Sequence, residues 1–224
     1  MPIHTRLVQD ALEKWDLRFE GVANRLFSTS KKICCLGAGP GSDVFGILRY
    51  VHYNCTERPK LEFKIYDRAH LWDDTWNSIW DVLDNKYDTR VTTCYTTLDL
   101  SQKETTLLLD NMSSTFIKYD IFTLIKFWSS IFKSDISRIH LQDILSQAKI
   151  GAYILYIDNG YGPFTQNFID CLPNWSVIIQ TNTDHHLFKD EQKRYLSEYL
   201  CFFGGRSPIF KTTIDTVILK KIRM

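Results

Sequence analysis

Short apolar runs alternate along this chain with stretches in which hydrophobic side chains recur every three or four residues. Lys32 to Leu36, Leu61 to Tyr66, Thr89 to Tyr95, Ile121 to Ile125 and Ala152 to Asp158 read as five strands. Between them, Ser42 to Tyr53, Trp72 to Leu83, Gln102 to Leu109 and Asp135 to Ala148 carry helical spacing, with Ser42 or Asp43 available to cap the first of these helices. Ahead of the first strand, Thr5 to Phe27 sets Leu7, Ala11, Leu12, Trp15 and Val22 mostly at helical intervals. This predicts one or two amphipathic helices that cover a sheet edge or a pocket. Two β-like segments close the chain, Ser176 to Thr181 and Thr213 to Ile222, separated by a polar and aromatic insertion from Asn182 to Ser207. Strands and helices in strict alternation predict an α/β domain with a mainly parallel sheet.

Length and composition narrow the classes. At 224 residues, with 44% hydrophobic and 14% aromatic side chains, the chain suits one globular domain. A formal net charge of +1 gives no overall bias toward nucleic acid or acidic membranes, although a local basic patch stays open. Cys34, Cys35, Cys55, Cys94, Cys171 and Cys201 show no CxxC pair or repeated spacing, which favours reduced thiols in the cytoplasm or nucleus and argues against structural zinc. No apolar run is long enough to cross a bilayer, so no membrane partner is expected, and the expected state is a monomer or weak dimer.

The first strand runs into Cys34-Cys35-Leu36-Gly37-Ala38-Gly39-Pro40-Gly41-Ser42-Asp43. Loops after the strands of open α/β sheets bind ligands, and three alternating glycines let a backbone turn sharply and approach one closely. The dinucleotide pattern GxGxxG would require Gly or Ala at position 42, where Ser42 stands. Pro40 also removes an amide that a phosphate could use, so a neutral or cationic ligand is favoured. Asp67 ends the second strand, where a carboxylate can accept both hydroxyls of a ribose, and Asp99 follows the third strand, placed to accept from an adenine amino group.

The segments "ICCLGAGPGSD", "FKIYD" and "CYTTLDL" resemble the first three motifs of the class I S-adenosylmethionine-dependent methyltransferases. The resemblance covers the chain from about Lys32 onward and implies a Rossmann-like, seven-stranded, mostly parallel sheet with an antiparallel C-terminal strand pair. Residues 1–30 would then form an N-terminal helical extension and 31–224 the methyltransferase domain. Carried over, it implies that Gly37, Gly39 and Gly41 approach the methionine part of S-adenosylmethionine, that Asp67 with Arg68 beside it holds the ribose, and that Asp99 contacts adenine. The family commonly places an acid two positions before the first glycine. Cys35 stands there, which leaves Asp43 to partner the cofactor's amino group. "GSDVFGILRY" and "YDRAHLWDDTW" further resemble small eukaryotic methyltransferase-like proteins.

At the end of the fourth strand, Lys126 is a candidate donor or base and Phe127 a candidate wall over the sulfonium or acceptor. No NPPY-type tetrapeptide is present. Asp158 and Asn159 could orient an acceptor, while Asn159-Gly160 also reads as a turn. Trp72, Trp76 and Trp80 form a stripe whose ordinary reading is helix-to-sheet packing, with Trp72 placed to line an adenosine pocket. Asp184, His185 and His186 suggest a loop near the substrate mouth rather than a metal site, and Lys189, Lys193, Arg194 and Arg206 a solvated basic face. Three functions are consistent with these residues: methyl transfer to a nitrogen or oxygen on RNA, protein or a small molecule; a methyltransferase-like binding or scaffold protein without catalysis; and a nicotinamide-dependent oxidoreductase, disfavoured by Ser42 and the terminal strand pair.

Overall fold

A computed structural model of the protein describes residues 2–83, 90–186 and 211–223. Seven strands form one sheet: β1 (Lys31–Leu36), β2 (Leu61–Asp67), β3 (Val91–Thr97), β4 (Ile121–Ile125), β5 (Tyr153–Asn159), β6 (Trp175–His186) and β7 (Lys211–Lys221). Their order is β3-β2-β1-β4-β5-β7-β6. The first five are mutually parallel, whereas β7 runs antiparallel between β5 and β6. Strand order reverses between β1 and β4, which opens a crevice at the carboxyl ends of these strands.

Burial explains the strand patterns. Every residue of β4 is buried and β1 and β5 nearly so, because helices cover both faces; such strands read as continuous apolar runs. Edge strand β3 instead alternates half-buried with exposed residues. The buried side chains divide into two layers. Ile33, Cys35, Ile65 and Ile121 pack on the side of α1 (Pro2–Arg18), α2 (Val22–Leu26), α3 (Ser42–Asn54) and α4 (Leu71–Leu83). Cys34, Leu36, Tyr66, Phe122 and Tyr156 face the opposite side. There lie α5 (Thr105–Asn111), α6 (Ser113–Phe116), α7 (Trp128–Ile131), α8 (Asp135–Ser146) and α9 (Phe164–Asp170).

The N-terminal helices share the core of the sheet. Leu7, Val8, Ala11, Leu12 and Trp15 are buried in it, and the Trp15 indole donates to Thr216 Oγ1 of β7 at 3.1 Å. The closest approach is at Gly46 of α3, where a Cβ would lie 2.4 Å from Cβ of Val8 and 2.9 Å from the Thr5 carbonyl. No described helix is long and apolar enough to cross a membrane.

Several sequence expectations shift. The third strand lies two residues later than its pattern suggests, at Val91–Thr97, and Thr89 is outside the described residues. Neither Ser42 nor Asp43 caps α3; Gly41, at φ 84°, occupies that position with no side-chain cap. Asn182 to His186 extends β6, paired through to Lys211 of β7, so His185 and His186 lie in a strand rather than in a loop. The remainder of the insertion, with Lys189, Lys193, Arg194, Cys201 and Arg206, is outside the described residues.

Filling the Gly46 contact forces α1 away from α3. Gly46→Val should lower unfolding stability by about 2 kcal/mol, the usual scale for overpacking, measured as a fall in the urea midpoint at unchanged m-value.

Candidate functional site

The loop between β1 and α3 is held from several directions. Gly37 (φ 69°), Gly39 (φ 52°) and Gly41 (φ 84°) all take the left-handed conformation that side chains resist. The Gly37 amide donates to the Tyr66 carbonyl at 2.8 Å, and the Gly41 amide to the Ala38 carbonyl at 3.0 Å. The space beside two of the glycines is taken by aromatic rings of the protein itself. A Cβ on Gly37 would come within 2.0 Å of Phe127, and one on Gly41 within 2.1 Å of Trp76. Only at Gly39 is the nearest atom, Trp72 Nε1, as far as 3.9 Å. At Gly37 and Gly41 the bare α-carbon thus makes room for Phe127 and Trp76.

Asp67 ties this loop to the neighbouring strand. Its Oδ2 accepts from the Gly39 amide at 2.9 Å, and its Oδ1 from the Ala69 amide at 3.1 Å. Asp99 accepts from the Ser101 amide and hydroxyl at 2.9 and 2.7 Å and from Gln102 at 3.2 Å. Burial alone would raise the Asp99 carboxyl, but the Ser101 and Gln102 hydrogen bonds outweigh it and hold the group below its ordinary range.

These parts border a cavity of about 320 Å³ at the carboxyl ends of β1 to β4, within the range of small-molecule sites. Among its lining residues are Gly37, Asp67, Arg68, Asp99, Lys126 and Phe127. Thus six of the ten expected site residues come together in the wall of one cavity, contributed by the end of β2 and the segments after β1, β2, β3 and β4.

Lys126 lies in that wall at φ 57°, a left-handed conformation uncommon for a non-glycine residue and associated with strain at functional sites. Its Nζ donates to Asn159 Oδ1 at 2.7 Å. Burial lowers the ammonium pKa, with Asp158 opposing. Asp158 itself is fully buried and does not line the cavity. Its oxygens accept from the Ser129 amide at 2.8 Å, the Ser129 hydroxyl at 2.5 Å and the Asn159 amide at 2.7 Å. The expectation that Asp158 faces an acceptor therefore gives way to a supporting position, in which it anchors the start of α7 and orients Asn159, which holds Lys126.

Asp43 also stands apart from the cavity lining, beneath the loop. Its Oδ2 accepts from Thr123 Oγ1 at 2.5 Å, while its Oδ1 has no hydrogen-bond partner. Burial pushes its carboxyl up to about 7, with Asp67 adding to the effect and the Thr123 hydroxyl opposing it. Cys35, the residue in place of the family's usual acid, is fully buried in β1, and its thiol is raised well above the ordinary range by burial and then by Asp43.

Other groups at the site have weaker sequence signals. Ser130, Ser134 and Ser137 line the cavity from α7 and the start of α8; the recognisable signal is Ser134, whose hydroxyl accepts from the Ser137 amide as the N-cap of α8. His4 on the first turn of α1 is pushed down to about 4 by burial, and the Lys126 charge contributes to the shift. No sequence pattern connects these two residues. Trp76 and Trp80 stack at 5.5 Å within the packing of α4, as the ordinary reading of the tryptophan stripe holds. Among the described residues no group of three or more His, Cys, Asp or Glu is placed to hold a metal ion.

No protein-family model matches the chain, and no curated protein matches it in sequence. Solved structures do match in fold. A SAM-dependent methyltransferase from Methanosarcina mazei is 9% identical, with a TM-score of 0.56 over 87% of this chain and 94% of that one. A candidate RNA methyltransferase from Pyrococcus horikoshii is 15% identical, with a TM-score of 0.52 over 96% and 83%. An arsenic(III) S-adenosylmethionine methyltransferase from Chlamydomonas reinhardtii is 10% identical, with a TM-score of 0.50 over 87% and 64%. At these identities the likeness is one of fold. The fold is the Rossmann-like one of the class I methyltransferases, with its antiparallel terminal strand pair.

Two substitutions test this geometry. At the left-handed position 126, Gly should be more stable than Ala by about 1 kcal/mol, read from urea unfolding of Lys126→Gly against Lys126→Ala. The Asp43 carboxyl titrates near 7 when folded and near its ordinary 3.8 when unfolded. Below pH 4 both states are protonated; as pH rises toward 7 the unfolded state releases the proton first, so folding is progressively disfavoured. Relative to Asp43→Asn, the wild-type protein should therefore lose stability between pH 4 and 7 and level off above it, measured by denaturant unfolding across that range.

Proposed function

We propose that the protein is a methyltransferase that binds S-adenosylmethionine and releases S-adenosylhomocysteine after methylating a nitrogen or oxygen on RNA, protein or a small molecule. The observation that carries this reading is the convergence of Gly37, Asp67 and Asp99 on one cavity at the switch point of a methyltransferase-type sheet. An ionised carboxylate offers about four acceptor sites. The Gly39 and Ala69 amides engage one on each oxygen of Asp67, which leaves acceptor capacity on both for ribose hydroxyls. Asp99 borders the same cavity, where an adenine amino group can donate to it.

The polar and positive end of the cofactor fits the same surroundings. Asp43, with one unpartnered oxygen, supplies negative potential beneath the glycine loop, and a cation above would favour its ionised form. Phe127 offers an aromatic wall that suits a sulfonium. When bound, the cofactor supplies an electrophilic methyl group. The chain then needs to align the acceptor and, where necessary, take its proton. Lys126 is suited to that task, since its amine borders the cavity, is held by Asn159 and has its basicity lowered by burial. The serines of α7 and α8 give the acceptor side hydroxyl partners.

The scaffold alternative rests on Cys35 in place of the usual acid, and the solved structures of like fold do not support it. Calorimetric titration with S-adenosylmethionine, S-adenosylhomocysteine and NAD separates the readings. The first two should bind and NAD should not, with Asp67→Ala weakening S-adenosylhomocysteine by roughly 10-fold or more, the scale of a lost charge-assisted hydrogen bond. Binding of NAD alone, or full affinity in the variant, overturns the assignment.

A further inference from the structure

The half-covered edge of the sheet carries a second concavity. Helices α5 and α6 are short, and beside them the β2–β3 face opens into a groove of about 490 Å³, which adjoins a hollow of about 210 Å³ at the amino ends of β1 and β2. Lys32, Glu62 and Lys118 line both. Across the two, Lys31, Lys32, Lys60, Lys64, Lys118 and Lys149 face two carboxylates, Glu62 and Asp120. Glu62 is shared by Lys32 at 3.6 Å and Lys60 at 2.7 Å, and Asp120 pairs with Lys149 at 2.5 Å. Among the described residues, no carboxylate pairs with Lys31, Lys64 or Lys118. Lys31 donates to Thr29 Oγ1, Lys64 approaches Cys94 Sγ at 2.9 Å, and Lys118 lies 5.5 Å from the Tyr119 ring centroid. The strip is thus locally basic on a protein whose formal net charge is only +1.

We infer that this strip docks single-stranded RNA through its phosphate backbone. Three features select that occupant. A concavity admits a chain but not the plane of a bilayer. All six cations are lysines, point charges suited to a repeated phosphate backbone, whereas single phosphorylated side chains are gripped by arginine forks. The groove also presents the hydroxyl side chains of Thr92, Thr96 and Thr115, groups able to exchange hydrogen bonds with ribose 2′-hydroxyls. Docking does not depend on methyl transfer. Tyr66, however, lines both this groove and the cavity of Asp67, so a strand leaving the groove arrives at the candidate methyl-transfer site, a consequence that rests on the function proposed above.

The test is fluorescence anisotropy of a labelled 16-nucleotide oligouridylate with the full chain, without cofactor, between 50 and 200 mM NaCl. Binding should weaken steeply with salt. Lys31→Gln/Lys64→Gln/Lys118→Gln should reduce the slope of log K against log salt by about 2, given about 0.7 per phosphate contact on a single strand. The same variant should retain wild-type thermal unfolding and S-adenosylhomocysteine binding, which separates failure here from failure of the cofactor site. Undetectable binding, an unchanged slope, tighter binding of the matching DNA, or binding to phosphatidylserine vesicles instead of RNA would overturn the proposal.

Discussion

The hydrogen bond from the Gly39 amide to the Asp67 carboxylate is the contact on which the rest of the site depends. It spans two adjacent parallel strands at their carboxyl ends and sets the height of the glycine loop over the sheet. Around it the loop has little freedom, because Phe127 fills the space beside Gly37 and Trp76 fills the space beside Gly41. Close packing of aromatic rings against bare α-carbons costs the loop any tolerance for side chains, and in return the backbone amides and the carboxylate hold one geometry. Such preorganisation is what a ligand site requires, since ordering a loop at the moment of binding would subtract from affinity.

The Lys126 side of the cavity is built by a different device. Asp158 is buried, accepts three hydrogen bonds and fixes Ser129 at the start of α7. Asn159, next in β5, receives the Lys126 amine, and Lys126 takes a left-handed backbone conformation to deliver it. The strain at Lys126 is thus held by a hydrogen-bond network rather than by glycine. A buried carboxylate that never meets the ligand can still decide where a lysine stands, as Asp158 does here.

The N-terminal helix packs on the same sheet, its inner face against Gly46 of α3 and Thr216 of β7. Solved structures of the same fold share only 9 to 15% of their residues with this chain. One fold can carry different chemistries, because the fold constrains core positions while the site carries the chemistry.

Much of the architecture follows from the chain by itself. Short apolar runs mark the strands buried on both faces and a period of 3.6 marks the helices that cover them, and the alternation of the two points to a mainly parallel sheet. Gly37, Asp67 and Asp99 stand out in the chain because they end or follow β1, β2 and β3, and the fold brings all three to one cavity. Tertiary structure decided what local pattern cannot encode. Whether glycine space receives a ligand or a ring depends on Phe127 and Trp76, up to 90 residues away in sequence. Whether an acid at a strand end or helix start meets solvent depends on what packs around it, as Asp158 at the end of β5 and Asp43 in the first turn of α3 illustrate. The basic groove escaped notice for the same reason: its lysines are scattered from position 31 to 149, and only the register of β1 with β2 and the shortness of α5 and α6 bring their charges onto one surface.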